Sequence, residues 1–148
     1  MPSHESTMSG YRFLEHMTDL EVETRGKDLG EAFENAGKAI EDSMVDITSI
    51  SDVSTRSVSI EEKDVEALLY SWIEYLIVMQ DTENLLFSKF SCRVEKSDSG
   101  FKLEASVSGE NFDPKKHEQK TAIKAPTYHE MRVTYEPGEV KLRFLVDL

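Results

Sequence analysis

The chain has 148 residues, enough for one ordinary domain that buries about 70% of the surface its unfolded form exposes. With 29 acidic against 17 basic residues its formal charge is −12 and its pI near 4.7. Direct high-affinity nucleic acid binding is therefore not expected, because it relies on clustered lysine and arginine that release counterions from the phosphates. The single cysteine, Cys92, cannot form an internal disulfide, which points to a reducing, cytoplasmic setting and excludes zinc sites built on cysteine clusters.

Residues 1–10 are polar and lack the basic start and apolar run of a secretory signal; they are expected to form a disordered tail, leaving 11–148 as a single domain. From Leu20 to Arg25 apolar and polar residues alternate, the period of a half-buried strand, and Gly26 ends it. Asp28 then stands as a helix N-cap with Glu31 three residues on, and Leu29, Ala32, Phe33, Ala36, Ile40 and Met44 recur at helical steps. A Ser/Asp-rich loop over 46–57 leads to a short strand at Val58 and Ile60. Asp64 caps a second helix with Val65, Leu68, Leu69, Trp72, Ile73, Leu76 and Met79 on one broad face. This segment is the most apolar in the chain, yet Glu66 and Glu74 interrupt it and it falls short of the ~20 apolar residues of a bilayer span, so no membrane partner is expected.

Beyond Leu85 the texture becomes strand-like: Leu85–Val94, Phe101–Ser108, Thr121–Ala125, Arg132–Glu136 and Val140–Val146. Ser97–Gly100 and Pro137-Gly138 supply turns between them. This order predicts an α+β fold, a two-layer sandwich with two helices packed on a largely antiparallel sheet.

Neither a Gly-x-x-x-x-Gly-Lys loop nor a Gly-x-Gly-x-x-Gly turn is present, so nucleotide binding by the standard loops is unsupported. Cys92, inside a strand-like run, reads as a packing residue rather than a nucleophile. His16, His117 and His129 each neighbour a carboxylate (Glu15, Glu118, Glu130) and read singly as solvated or hydrogen-bonded side chains. Asp19 and Asp147 carry the stronger geometric argument. Asp19 immediately precedes the first strand and Asp147 is next to last on the final one, so antiparallel pairing of those strands would set them side by side. A carboxylate at Leu148 adds a third anionic group, and three such groups repel unless a hard cation such as Ca²⁺ or Mg²⁺ bridges them.

Seven ordered blocks carry a resemblance over nearly the whole of 11–148: Phe13-Leu14-Glu15-His16 with Asp19; Glu31-Ala32-Phe33-Glu34-Asn35-Ala36; Leu68-Leu69-Tyr70-Ser71-Trp72; Asp81-Thr82-Glu83-Asn84-Leu85-Leu86-Phe87; Gly109-Glu110 leading to His117; Lys124-Ala125 with Thr127-Tyr128-His129; and Val146-Asp147-Leu148. Together they resemble the archease family, small activators of the GTP-dependent tRNA-splicing ligase. The resemblance implies a two-layer α+β sandwich, a divalent metal at Asp19, Asp147 and Leu148, and a non-catalytic role promoting ligase guanylylation and multiple turnover in tRNA splicing. His16-Met17-Thr18-Asp19 keeps the His-to-Asp spacing of the family's His-Thr-Ala-Asp but not its middle residues. Two other readings stand beside it. A small metal-dependent hydrolase could use His16, Asp19, His129 and Asp147 to hold a metal and activate water. A chaperone-like binding module would need an exposed apolar groove, and the periodicity leaves no surplus stripe for one.

Overall fold

The computed structural model describes residues 10–15 and 18–148; residues 1–9 of the tail expected over 1–10, and His16 of the His-to-Asp segment, lie outside the described residues, while the Gly10 carbonyl accepts the Arg25 N–H (2.8 Å). Chain order is β1 (Tyr11–Glu15), β2 (Asp19–Gly26), α1 (Leu29–Met44), a 3₁₀ turn (Ile47–Ser49), β3 (Ser54–Glu62), α2 (Val65–Glu83), β4 (Leu85–Lys96), β5 (Phe101–Asn111), β6 (Ala125–Glu136) and β7 (Glu139–Asp147).

Both helices begin where capping chemistry places them. The Asp28 carboxylate accepts the Glu31 N–H (2.9 Å), and Glu31 reaches back to the Lys27 N–H (2.9 Å). Asp64 accepts the Ala67 N–H (2.7 Å), and α2 ends at Asn84, whose left-handed φ of 56° closes the last turn onto the Met79 carbonyl.

The class is α+β, and the strands divide between two antiparallel sheets, ordered β1-β2-β7-β6 and β3-β5-β4. Alternation shows that a segment is a strand without naming its neighbour. The long excursions through α1 and α2 let β3 join β5 and leave β2 to pair with β7. Helix α1 packs on β2 and β4, and α2 on β6 and β3, so the helices bind the two sheets together. The core centres on Trp72, Phe33, Phe87 and Phe144, all fully buried. Trp72 donates its indole N–H to the Phe33 carbonyl (2.9 Å) and meets Phe90 edge-on at 6.0 Å. Gly37 is needed there, since a Cβ would stand 2.7 Å from the Phe90 ring.

Several segments differ from the sequence expectation: β3 begins at Ser54, inside the expected loop over 46–57, and β6 runs from Ala125 through to Glu136 where the sequence predicts a strand only from Arg132. Tyr11–Glu15 is a strand, its period carried by buried Tyr11 and Phe13 but blurred by Leu14. Residues 121–124 are not a strand. Ile123 is drawn into the core, the Lys120 N–H donates to the Met44 carbonyl (2.7 Å), and regular pairing resumes only at Ala125.

Candidate functional site

The first residue of β2 and the last of β7 are cross-strand partners: Asp19 stands opposite Asp147, in a register that continues through Leu20 and Val146 to Gly26 and Val140. That register follows from the hydrophobic pattern. Val22, Leu142, Phe144 and Val146 are wholly buried, and a one-residue slip would turn the entire set to the wrong side. Residues directly opposite share a face, so the two carboxylates emerge together at the sheet's end, Asp147 exposed and Asp19 half-buried.

Two main-chain hydrogen bonds fix this corner. The Leu148 N–H donates to the Thr18 carbonyl (3.1 Å), and the Lys124 N–H donates to the Asp147 carbonyl (2.8 Å). Strand β6 then pairs Ala125 with Asp147 from the other side. Asp147 is thus held between β2 and β6, while Leu148 packs partly against the core. Sequence reasoning missed the part played by the Lys124 main chain, which no side-chain pattern signals.

Among the described residues no three His, Cys, Asp or Glu side chains cluster as a metal site. What the corner offers is two carboxylates and the main-chain oxygen of Leu148. This all-oxygen set suits a hard cation such as Ca²⁺ or Mg²⁺, which would complete its shell with water or groups from another molecule. The donor chemistry fits the expected ion.

The other sequence candidates are employed elsewhere. His117 does not pair with the adjacent Glu118. It is 1% exposed and accepts the Asp113 N–H at Nδ1 (2.9 Å), which leaves Nε2 to carry the proton and donate to Glu110 (2.9 Å). Glu110 also accepts from Lys116 (2.7 Å) and from the Ser51 N–H (2.8 Å). Lys116, the Ser51 N–H and His117 outweigh partial burial and lower the Glu110 carboxyl to about 2. This buried latch holds the loop over 112–124, and its signal, a histidine seven residues after a glutamate, is too general to read from one sequence. His129 is exposed, with Nε2 3.9 Å from Glu130. Cys92 is half-buried, and its thiol is pushed up to about 12 by burial and the nearby Glu34, which accepts the Cys92 N–H (2.8 Å). A thiol so protonated is a packing residue.

The sequence profile of the Archease protein family (MTH1598/TM1083) matches residues 11–148. The chain belongs to the archease family. It is similar to the archease of Sulfurisphaera tokodaii, 41% identical over 141 residues that span 95% of this chain and 100% of that one. The archease of Thermococcus kodakarensis is 40% identical over 142 residues, with the same two shares. Among solved structures, Methanobacterium thermoautotrophicum protein 1598 superposes with a TM-score of 0.84 at 35% identity, covering 95% of this chain and 100% of that one. A Thermotoga maritima archease, described as a possible chaperone, shares the fold at a TM-score of 0.61 and 18% identity, covering 91% of this chain and 94% of its own. No described helix is long and apolar enough to cross a membrane.

Proposed function

We propose that this archease is a non-catalytic activator of a GTP-dependent tRNA-splicing ligase, acting in the cytoplasm to promote ligase guanylylation and turnover. In this reading Asp19, Asp147 and the main-chain oxygen of Leu148 hold a divalent cation, Ca²⁺ or Mg²⁺. The cation would supply a fixed positive charge at an acidic corner. Asp19 and Asp147 orient it, and the hydrogen bonds from Lys124 and Leu148 keep their strands in place.

The observation that carries the proposal is the coincidence of family membership over residues 11–148 with the Asp19–Asp147 register. Net charge supports it: a −12 chain is steered toward a basic RNA-binding protein while binding RNA poorly by itself. The test is multiple-turnover RNA ligation by a cognate ligase with and without this protein. Turnover and guanylylation rise on addition, and the protein alone joins no RNA. Unchanged turnover at saturating protein overturns the reading.

A chaperone-like role is the second reading, favoured by the description of the Thermotoga maritima relative and by the exposed Tyr128 and Tyr135. It predicts that unrelated client proteins, not only the ligase, are protected from thermal aggregation.

A further inference from the structure

Helix α2 turns one line of side chains away from the core. Glu66, Tyr70, Glu74 and Val78 follow at four-residue steps, the spacing that keeps helical side chains on one face. Glu66, Glu74 and Val78 are exposed and Tyr70 is half-buried. Edge strand β6 packs against α2 and adds two further rings, Tyr128 at 54% exposure and Tyr135 at 61%. Tyr128 stacks on Tyr70 with ring centroids 4.4 Å apart and planes 10° from parallel.

Tyr128 reaches that position because β6 leaves its ladder. Residues 128–131 stand opposite Phe144 alone, and within them Glu130 has a φ of 57°, a left-handed conformation uncommon outside glycine. Partial burial raises the Tyr128 phenol pKa, and the carboxylates of Glu62, Asp64 and Glu74 raise it further; burial and Glu66 do the same to Tyr135. Four carboxylates therefore surround the exposed rings. Glu62 accepts from Ser71 and Asp64 caps α2, whereas Glu66 and Glu74 have no side-chain hydrogen bond or ion pair among the described residues.

An exposed aromatic face attracts a cation through its quadrupole, and a guanidinium can in addition lie flat on the ring while its edge pairs with a carboxylate. Lysine, a compact point charge, does only the first. We propose that the α2–β6 face binds an arginine-bearing, extended segment of a partner protein, with guanidinium groups stacked on Tyr128 and Tyr135 and paired with Glu74 and Glu66. The inference rests on the reading that this chain works through a partner protein, and names where and by what chemistry that partner is held. A phosphate backbone would meet the same four carboxylates and be repelled, as would a second copy of a −12 chain. Residues 1–9 contain no arginine and so cannot supply the segment themselves.

The experiment titrates the full chain with blocked hexa-arginine and hexalysine peptides, following the tyrosine ring resonances by NMR. Hexa-arginine is expected to shift Tyr70, Tyr128 and Tyr135 and to bind at least fivefold more tightly than hexalysine. Tyr128→Ser, and Glu66→Gln with Glu74→Gln, should each weaken binding about tenfold. Tyr128→Phe, which keeps the ring, retains it, and so does the control pair Glu95→Gln with Glu104→Gln. Equal affinity for the two peptides, or equal weakening by the control pair, would mean general charge attraction and overturn the proposal. Ligase stimulation by the wild-type chain is read separately. Peptide binding at this face without stimulation leaves the face and removes the ligase reading, whereas stimulation with no ring shifts removes the face.

Discussion

Glu41 is a carboxyl wholly enclosed in the core, on the inner side of α1, where Oε1 accepts the Phe87 N–H (3.0 Å). Burial raises its pKa well above the usual 4.5, against the smaller opposing effect of the Phe87 hydrogen bond. The folded state therefore keeps a proton that the unfolded chain releases near pH 4.5, so stability falls as pH rises from there to the folded-state pKa, by up to about 1.4 kcal/mol per pH unit. Glu41→Gln keeps an acceptor for Phe87 and removes the titration. It should melt several degrees higher than wild type at pH 8 and nearly level with it at pH 4; parallel melting curves at both pH values would show that Glu41 does not titrate as argued. Asp19 and Asp147 are residue-scale tests of the proposed cation. Calcium at about 100 times its Kd adds roughly 2.7 kcal/mol, several degrees in Tm for a chain of this size. Asp19→Asn or Asp147→Asn should abolish that rise while leaving the metal-free Tm within a few degrees, and a full rise in both variants would place the ion elsewhere.

At the scale of elements, the loop between β5 and β6 behaves as a strap secured by one carboxylate. Glu110, held at about 2, contributes stability that is fully present above about pH 4.5 and is lost as the solution is acidified toward pH 2. Glu110→Gln should lessen that acid-side loss and at neutral pH free the loop, so that the Asp113 and Ser51 amides exchange with solvent at least tenfold faster; unaltered exchange would mean the strap is held by other contacts. Close approach matters as much as charge in the neighbouring β4–β5 pair. A Cβ at Gly109 would collide with the Leu86 carbonyl beside the bulge at Ser88, so Gly109→Ala should cost about 2–3 kcal/mol by denaturant titration. The helices were legible in the sequence because Asp28, Asp64 and the apolar steps after them report local physics. The Asp19–Asp147 pair was legible because both acids sit at the ends of strands with clear alternation. Sheet partition, the β6 excursion around Glu130 and the Glu110–His117 latch depend on contacts far apart in sequence, which no local period encodes.

At the scale of the whole molecule, the two ends of the four-stranded sheet's central pair meet where Leu148 donates to Thr18, so a change beyond Leu148 tests the corner with little risk to the core. In a chain ending at Leu148 the residue offers a charged carboxylate; a short Gly-Ser extension replaces it with a neutral carbonyl and moves the charge about 3.3 Å per added residue along an extended path. The β2–β7 register and the buried Val146 and Leu142 are untouched by this change, so the metal-free Tm should stay within about 1–2 °C. The proposed cation loses one of its three negative partners, and binding by calorimetry should weaken at least tenfold, with ligase stimulation falling in proportion. If the extended protein binds calcium and stimulates as well as the unextended one, Leu148 contributes only a carbonyl and its place on the strand, and Asp19 and Asp147 must find their third oxygen in the partner.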